Sequence, residues 1–157
     1  MSSVFILRES EPSIPSYLLQ FDGGANPNPG PCAGAFVIYK LDEDGNKEDI
    51  LFEGGKFIKD GTNNVGEYMG LLEGLKVCDE QKFDSILIEG DSKLVVNQVS
   101  NQWKVNFSHI RIYHSEIQKL LKKFTSVSIR HIYRDKNSKA DGLSDETLEK
   151  KRNWIRF

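Results

Sequence analysis

The run Phe21-Asp22-Gly23-Gly24-Ala25-Asn26-Pro27-Asn28-Pro29-Gly30 decides how the rest of the chain reads. The apolar residues in front of it predict a strand over 17–22, which ends in an aspartate and a loop of Gly, Asn and Pro. Glycine opens backbone conformations closed to other residues and proline fixes its own, so the strand is expected to stop at Asp22. Asp22 then stands at a strand end, beside a loop whose backbone can approach a ligand closely. One aspartate so placed is usually just solvated. Its weight depends on whether other carboxylates join it.

A chain of 157 residues suits one domain, read here as a lead-in over 1–16 and a single domain over 17–157. With 38% apolar and 28% charged residues, neither disorder nor a membrane span is expected. The N-terminus lacks a basic segment followed by an apolar run, so no secretory leader is expected and the protein is placed in the cytoplasm, or in the nucleus. Cys32 and Cys78 have no metal-ligand spacing and read as free thiols in a reducing compartment. Charge is unevenly spread. Residues 1–100 hold 8 Lys/Arg against 17 Asp/Glu, and residues 101–157 hold 13 against 6. A polyanion would be drawn to the second part, although solvated charged faces explain most such asymmetries.

Outward from the opening run, 33–41 is a β-rich stretch, and the acidic turn 42–46 leads into a third strand over 50–58. Gly54-Gly55 inside that strand suggests a bulge or a close backbone approach. Thr62-Asn63-Asn64 offers helix caps, and Val65, Tyr68, Met69, Leu72 and Leu75 recur at helical spacing to about Glu80. The apolar run 85–89 reads as a strand buried on both faces, followed by a helix carrying Leu94, Val95 and Val99. Ser108 is expected to cap an amphipathic helix with Ile110, Tyr113, Ile117, Leu120, Leu121 and Phe124 on one stripe. Alternation at Val127, Ile129, His131 and Tyr133 gives a fifth strand, and 140–150 a last helix. The fold class is α/β, in the order βββαβααβα.

Three more carboxylates fall at element ends. Glu67 is placed in the first turn of its helix, Asp91 at the end of the fourth strand, and Asp141 in the first turn of the last helix. If the fourth strand lies parallel beside the first, Asp22 and Asp91 emerge at one sheet edge. Taken singly, Glu67 and Asp141 could complement helix dipoles, worth roughly 0.3–1 kcal/mol each, and Asp91 could be an N-cap. Taken together those readings weaken, because two carboxylates about 4 Å apart repel by roughly 4 kcal/mol at an effective dielectric near 20. Oxygen-only ligands select hard divalent ions such as Mg²⁺ or Mn²⁺.

The segments Phe21-Asp22-Gly23-Gly24, Thr62-Asn63-Asn64-x-x-Glu67, Gly90-Asp91-Ser92 and Asn137-x-x-Ala140-Asp141 together resemble type 1 ribonuclease H. Each is weak alone, but the four stand in that family's order over most of the chain. The resemblance implies a five-stranded mixed sheet with its first three strands antiparallel, in the compact archaeal or plant-like form. It implies hydrolysis of the RNA strand of an RNA/DNA hybrid by two metal ions, Mg²⁺ with Mn²⁺ as substitute, leaving 5′-phosphate and 3′-hydroxyl ends. Carried over, Asp22, Glu67, Asp91 and Asp141 are catalytic metal ligands, and Gly23 joins the metal-binding positions. Asn28, Asn63 and Asn64 match positions that meet nucleic-acid backbone or minor-groove edges, and Thr62 one associated with a DNA-strand phosphate. For all four, turn-forming and capping roles can coexist with binding.

Members of the family often carry a histidine ahead of the last aspartate for proton transfer or product release. Here His131 falls within the fifth strand by alternation, and Arg134 is an equal candidate. His109 and His114 read as solvated helix residues. The basic insertion of some bacterial members is absent: only 101–107 stands there, with Trp103 expected at the edge of the core rather than stacked on DNA. No separate hybrid-binding domain is expected ahead of residue 17, and the chain is expected to act as a monomer away from membranes. Rival readings are an integrase- or resolvase-like nuclease and a non-catalytic nucleic-acid-binding module. If the Lys/Arg-rich second part grips the hybrid, counterion release makes affinity fall steadily with salt. A filter-binding titration that stays flat from low to moderate salt would remove that role.

Overall fold

The computed structural model describes residues 3–9 and 14–157. Seven strands form one sheet: β1 (Val4–Glu9), β2 (Tyr17–Ala25), β3 (Gly30–Leu41), β4 (Lys47–Gly61), β5 (Ser85–Gly90), β6 (Ser126–His131) and β7 (Trp154–Arg156). Their order across the sheet is β1-β6-β5-β2-β3-β4-β7. The meander β2-β3-β4 is antiparallel, while β5 runs parallel to both β2 and β6. The helices are α1 (Asn63–Glu80), α2 (Lys93–Val99), α3 (Ser108–Leu121) and α4 (Ser138–Lys150), with a 3₁₀ turn at Arg134–Lys136 before the last.

Local chemistry accounts for most boundaries. In the turn between β3 and β4, the Asp42 carboxylate accepts from the Asp44 and Asn46 amides, and Gly45 takes φ +82°. Thr62 caps α1, its hydroxyl accepting from Val65 N at 3.3 Å. Ser108 is the first residue of α3 rather than its cap; Phe107 holds the cap position and makes no side-chain cap bond.

Period-two alternation sorts the strands' side chains between two layers. Leu19, Phe21, Ile86, Ile88, Val127 and Ile129 meet Leu71 and Leu75 of α1, Val95 of α2, and Ile110 and Ile117 of α3. On the opposite face Leu18, Ala35, Val37 and Tyr39 meet Ala140 and Leu143 of α4. Each fully buried Leu or Ile contributes about 1.5–3 kcal/mol relative to exposure. Among the described residues, no helix is long and apolar enough to cross a membrane.

The sheet therefore has seven strands, not the five expected. β1 lies within the stretch read as a lead-in, pairing antiparallel with β6 and laying Phe5 and Leu7 on the core while Val4 and Ile6 stay exposed. Residues 1–2 and 10–13 of that stretch lie outside the described residues. β7 has three residues, too few for a periodic signal, and is held from the side: Trp154 Nε1 donates to Thr147 Oγ1 at 2.9 Å and Arg156 Nε to Glu53 at 2.7 Å. Gly54-Gly55 marks a close approach, not a bulge. A Cβ on Gly54 would fall 2.7 Å from the Phe36 ring, and the β3-β4 register shifts lie elsewhere, between Gly30 and Cys32, Ile38 and Tyr39, and Tyr39 and Leu41.

A tighter contact joins α1 to the sheet. A Cβ on Gly66 would sit 2.5 Å from Ala33 O, and one on Gly70 2.5 Å from Asp22 O. On Gly23 or Gly34 it would run into the α1 backbone at Gly66. The helix thus rests backbone on backbone across β2 and β3, closer than any side chain permits. Gly66→Ala is expected to lower unfolding free energy by about 1–3 kcal/mol, the usual effect of overpacking. Gly142→Ala, in α4 with open space around it, should raise it by about 0.5–1 kcal/mol. Urea midpoints for the two variants check this; a neutral Gly66→Ala would mean the contact can relax.

Candidate active site

The strand β2 does not stop at Asp22. Its ladder with β3 continues through Asp22↔Ala35, Gly23↔Gly34 and Gly24↔Ala33 to Ala25↔Cys32, because the glycines meet small residues that let extended backbone persist. What ends is the parallel ladder on the other side, whose last pair is Phe21↔Gly90. Asp22 and Asp91 are each the next residue along, so both carboxylates leave the sheet where β2 and β5 part. Glu67 is the fifth residue of α1, beyond the first turn where it was expected, and past the reach of a helix-terminus charge effect. Asp91 does not cap α2: Ser92 does, its hydroxyl accepting from Val95 N at 3.2 Å. Asp141 lies in the first turn of α4 as read. The two bland explanations that fail leave Glu67 and Asp91 without a structural duty.

One carboxylate oxygen from each of Asp22, Glu67 and Asp91 lies within 4.8 Å of the other two. Asp141 borders the same cleft of about 460 Å³, with Gly23, Asn63 and Arg134. Asp22 is only 6% exposed. Its carboxyl is pushed up to about 8, chiefly by burial, then by the Asp91 charge and a hydrogen bond with Asp141. Burial first, then the charges of Asp22 and Asp91, hold Glu67 well above the usual carboxylate range. Asp91 is raised by burial against the pull of an Asn137 hydrogen bond and the Arg134 charge. Buried Glu67 Oε2 has no hydrogen-bond partner among the described residues. Three converging carboxylates with an unpaired buried oxygen are the donor set of a hard divalent cation, and the residues fit one.

The other expected residues divide. The Asn28 side-chain oxygen accepts from Asn63 N at 3.1 Å, and that of Asn63 from Ala25 N at 2.8 Å, tying the loop after β2 to the start of α1. Thr62 is the cap already described, and half-buried Asn64 is not a cleft-lining residue. Arg134 lines the cleft, its guanidinium 3.8 Å from Asp141. His131 closes β6 with Nε2 3.2 Å from Asp91 O and lines a separate groove, so the pair is not equivalent. Trp103 is 49% exposed rather than at the core edge. Two cleft features escaped the sequence reading. Asp145 is a further cleft-lining carboxylate one turn beyond Asp141; that spacing was its signal. Asn137, fully buried, reaches Asp91 and had no assigned duty despite its place four residues before Asp141.

A family model described as reverse transcriptase-like matches residues 20–147. Ribonuclease HI of Halobacterium salinarum is 37% identical over 129 residues, 82% of this chain and 62% of that protein. The solved RNase H1 from the same archaeon is 36% identical, with a TM-score of 0.76 over 85% of this chain and 98% of that one. The chain belongs to the type 1 ribonuclease H family. Two more ribonuclease H structures agree. The N-terminal RNase H domain of a Mycobacterium tuberculosis protein gives a TM-score of 0.80 at 30% identity, over 87% of this chain and 96% of that one. LC11-RNase H1, solved in complex with an RNA/DNA hybrid, gives 0.75 at 31%, over 85% and 97%. This ribonuclease H chain spans 62% of the length of the curated Halobacterium relative, and 35% of a bifunctional mycobacterial protein. The family is metal-dependent, and the acidic cluster here suits that chemistry.

Carboxyls whose native pKa exceeds the unfolded value bind protons more tightly in the folded state. The stability they confer is complete below about 4 and is lost as pH rises through the native value, about 8 for Asp22. In chelator, thermal melts should therefore show Tm falling between pH 4 and 8. Added Mg²⁺ should restore it most at the upper end. A pH-independent Tm in chelator would contradict the raised proton affinity of these buried carboxyls.

Proposed function

We propose that this ribonuclease H hydrolyses the RNA strand of RNA/DNA hybrids, leaving 5′-phosphate and 3′-hydroxyl ends. The observation that carries the reading is the convergence of Asp22, Glu67 and Asp91 within 4.8 Å, with a buried Glu67 oxygen lacking any partner. Asp22, Glu67, Asp91 and Asp141 would hold two divalent ions, Mg²⁺ or in its place Mn²⁺, with the Gly23 backbone beside them. Bound ions of this kind stabilise the attacking and leaving oxygens of phosphodiester cleavage. The protein's own part is to bring the carboxylates together and fix them, and to aim the phosphate at them; the cations would offset the burial and repulsion that otherwise favour protonation.

Arg134 is the cleft's exposed cation and suits the departing phosphate; its side chain is 82% exposed and free to swing. Because Asn28 and Asn63 spend their side-chain oxygens within the protein, their amide nitrogens are left to donate to backbone or minor-groove acceptors. With Thr62 and Asn64 they form the nucleic-acid-facing rim, where the 2′-hydroxyl distinguishes RNA from DNA. A binding module without catalysis would gain nothing from a buried negative cluster facing phosphate. In this reading the single chain is the active unit, working in the cytoplasm or nucleus.

Labelled RNA in an RNA/DNA hybrid, beside single-stranded RNA, duplex RNA and duplex DNA, with Mg²⁺, Mn²⁺ or chelator, tests this. Only the hybrid should be cut, only with metal, and not by Asp22→Asn or Asp91→Asn. Tight hybrid binding without cleavage would indicate a binding module. Cleavage of DNA would indicate an integrase-like nuclease.

A further inference from the structure

Asn137 stands at the N-cap of α4, where an asparagine ordinarily turns its side-chain oxygen onto the helix's own first amides. Here it makes no such bond. Fully buried, it sends its Nδ2 across the site, donating to Phe21 O at 2.9 Å and to Asp91 Oδ2 at 3.4 Å. Its Oδ1 is also buried and has no partner among the described residues. Reversing the amide would not help, because both groups it faces are acceptors. Only a donating –NH₂ can occupy that position, and the side chain keeps that orientation although its oxygen goes unpaired.

The three groups so joined each bear on a different carboxylate. Phe21 immediately precedes Asp22, Asp91 is itself a member of the cluster, and Asn137 opens the turn of α4 in which Asp141 lies. We propose that Asn137 is a positioning residue whose side-chain amide pins the end of β2, the Asp91 carboxylate and the start of α4 together, so fixing the spacing of Asp22, Asp91 and Asp141 for the divalent ion. The inference rests on the metal-site reading above. Partners that orient a metal's ligands commonly govern affinity by about 10–100-fold.

A plain capping duty and a positioning duty make opposite demands. Asn, Asp and Ser are comparable caps, so Asn137→Asp and Asn137→Ser would be neutral if capping were the whole role. In the positioning role, serine is too short to span to Asp91. Aspartate would set a carboxylate against two acceptors, one of them charged. Direct Mn²⁺ titration by calorimetry, in the absence of nucleic acid, separates the cases. Wild type should bind. Asn137→Ser should bind about tenfold or more weakly, and Asn137→Asp more weakly still despite its matching shape. With cleavage as a second readout, the Mg²⁺ concentration for half-maximal rate should rise while KM for hybrid stays unchanged in Asn137→Ser. Both variants, and wild type as their reference, are made also with Gly142→Ala, next to Asp141 in the chain but with open space around its Cβ, to keep them folded; circular dichroism in chelator verifies that. Mn²⁺ affinity within twofold of wild type in folded Asn137→Ser, or Asn137→Asp equal to wild type, would overturn the positioning role while leaving the metal site standing. Failure of wild type itself to bind Mn²⁺ would overturn the metal-site reading and this inference with it.

Discussion

The backbone contact between α1 and the β2-β3 pair is the constraint on which the site depends. Gly66 and Gly70 on the helix lie over Gly23, Gly34 and Ala35 on the sheet, with no side chain between them. Glu67 follows Gly66 directly, so the contact that seats the helix also sets the distance from Glu67 to Asp22. An ordinary helix-on-sheet packing distance, filled by side chains, would leave the glutamate too far out to join the other carboxylates. Glycine at these places is explained by proximity, not by an unusual φ; the described residues reserve positive-φ glycine for Gly45 in the β3-β4 turn.

A second constraint follows from electrostatics. Folding gathers carboxylates from β2, α1 and the end of β5 into a buried space where desolvation first, and then neighbouring acidic charge, raises their proton affinity. Local sources of relief are few: Asn137 donates to Asp91, and Arg134 lies near Asp141. Elsewhere the chain pairs its buried acids. Glu89 is held by Arg130 and Gln20, and Glu53 by Lys139 and Arg156. The contrast separates structural acids, which come with partners, from acids left for a ligand.

Much of this could be read from residue order. The meander, the buried run of β5, the Thr62 cap and the stripe on α3 all follow from periodicity and turn chemistry confined to a few neighbouring residues. The four acid-bearing segments were recognisable because each sets its acid among Gly, Asn, Ser or Thr within a few residues, whatever the tertiary structure, although Asp22 and Glu67 stand further inside their elements than expected. What escaped depends on partners far along the chain. β1 and β7 are edge strands whose existence rests on β6 and β4. The strand β2 persists past Asp22 because the facing residues of β3 are small, which local propensity does not register. Asn137 shows no duty in its local sequence, because its acceptor, Phe21 O, is 116 residues away. The positions of His131 and Arg134 could not be told apart until the end of β6 was placed, which sets the histidine against Asp91 O and on another groove.

In the proposed function, folding builds one cation site from carboxylates on separate elements. Crystals soaked in Mn²⁺, with anomalous scattering used to locate the metal, address it most directly. Manganese peaks are expected in contact with the carboxylates of Asp22, Glu67 and Asp91. Peaks confined to surface acids, with the cleft empty at saturating Mn²⁺, would contradict it.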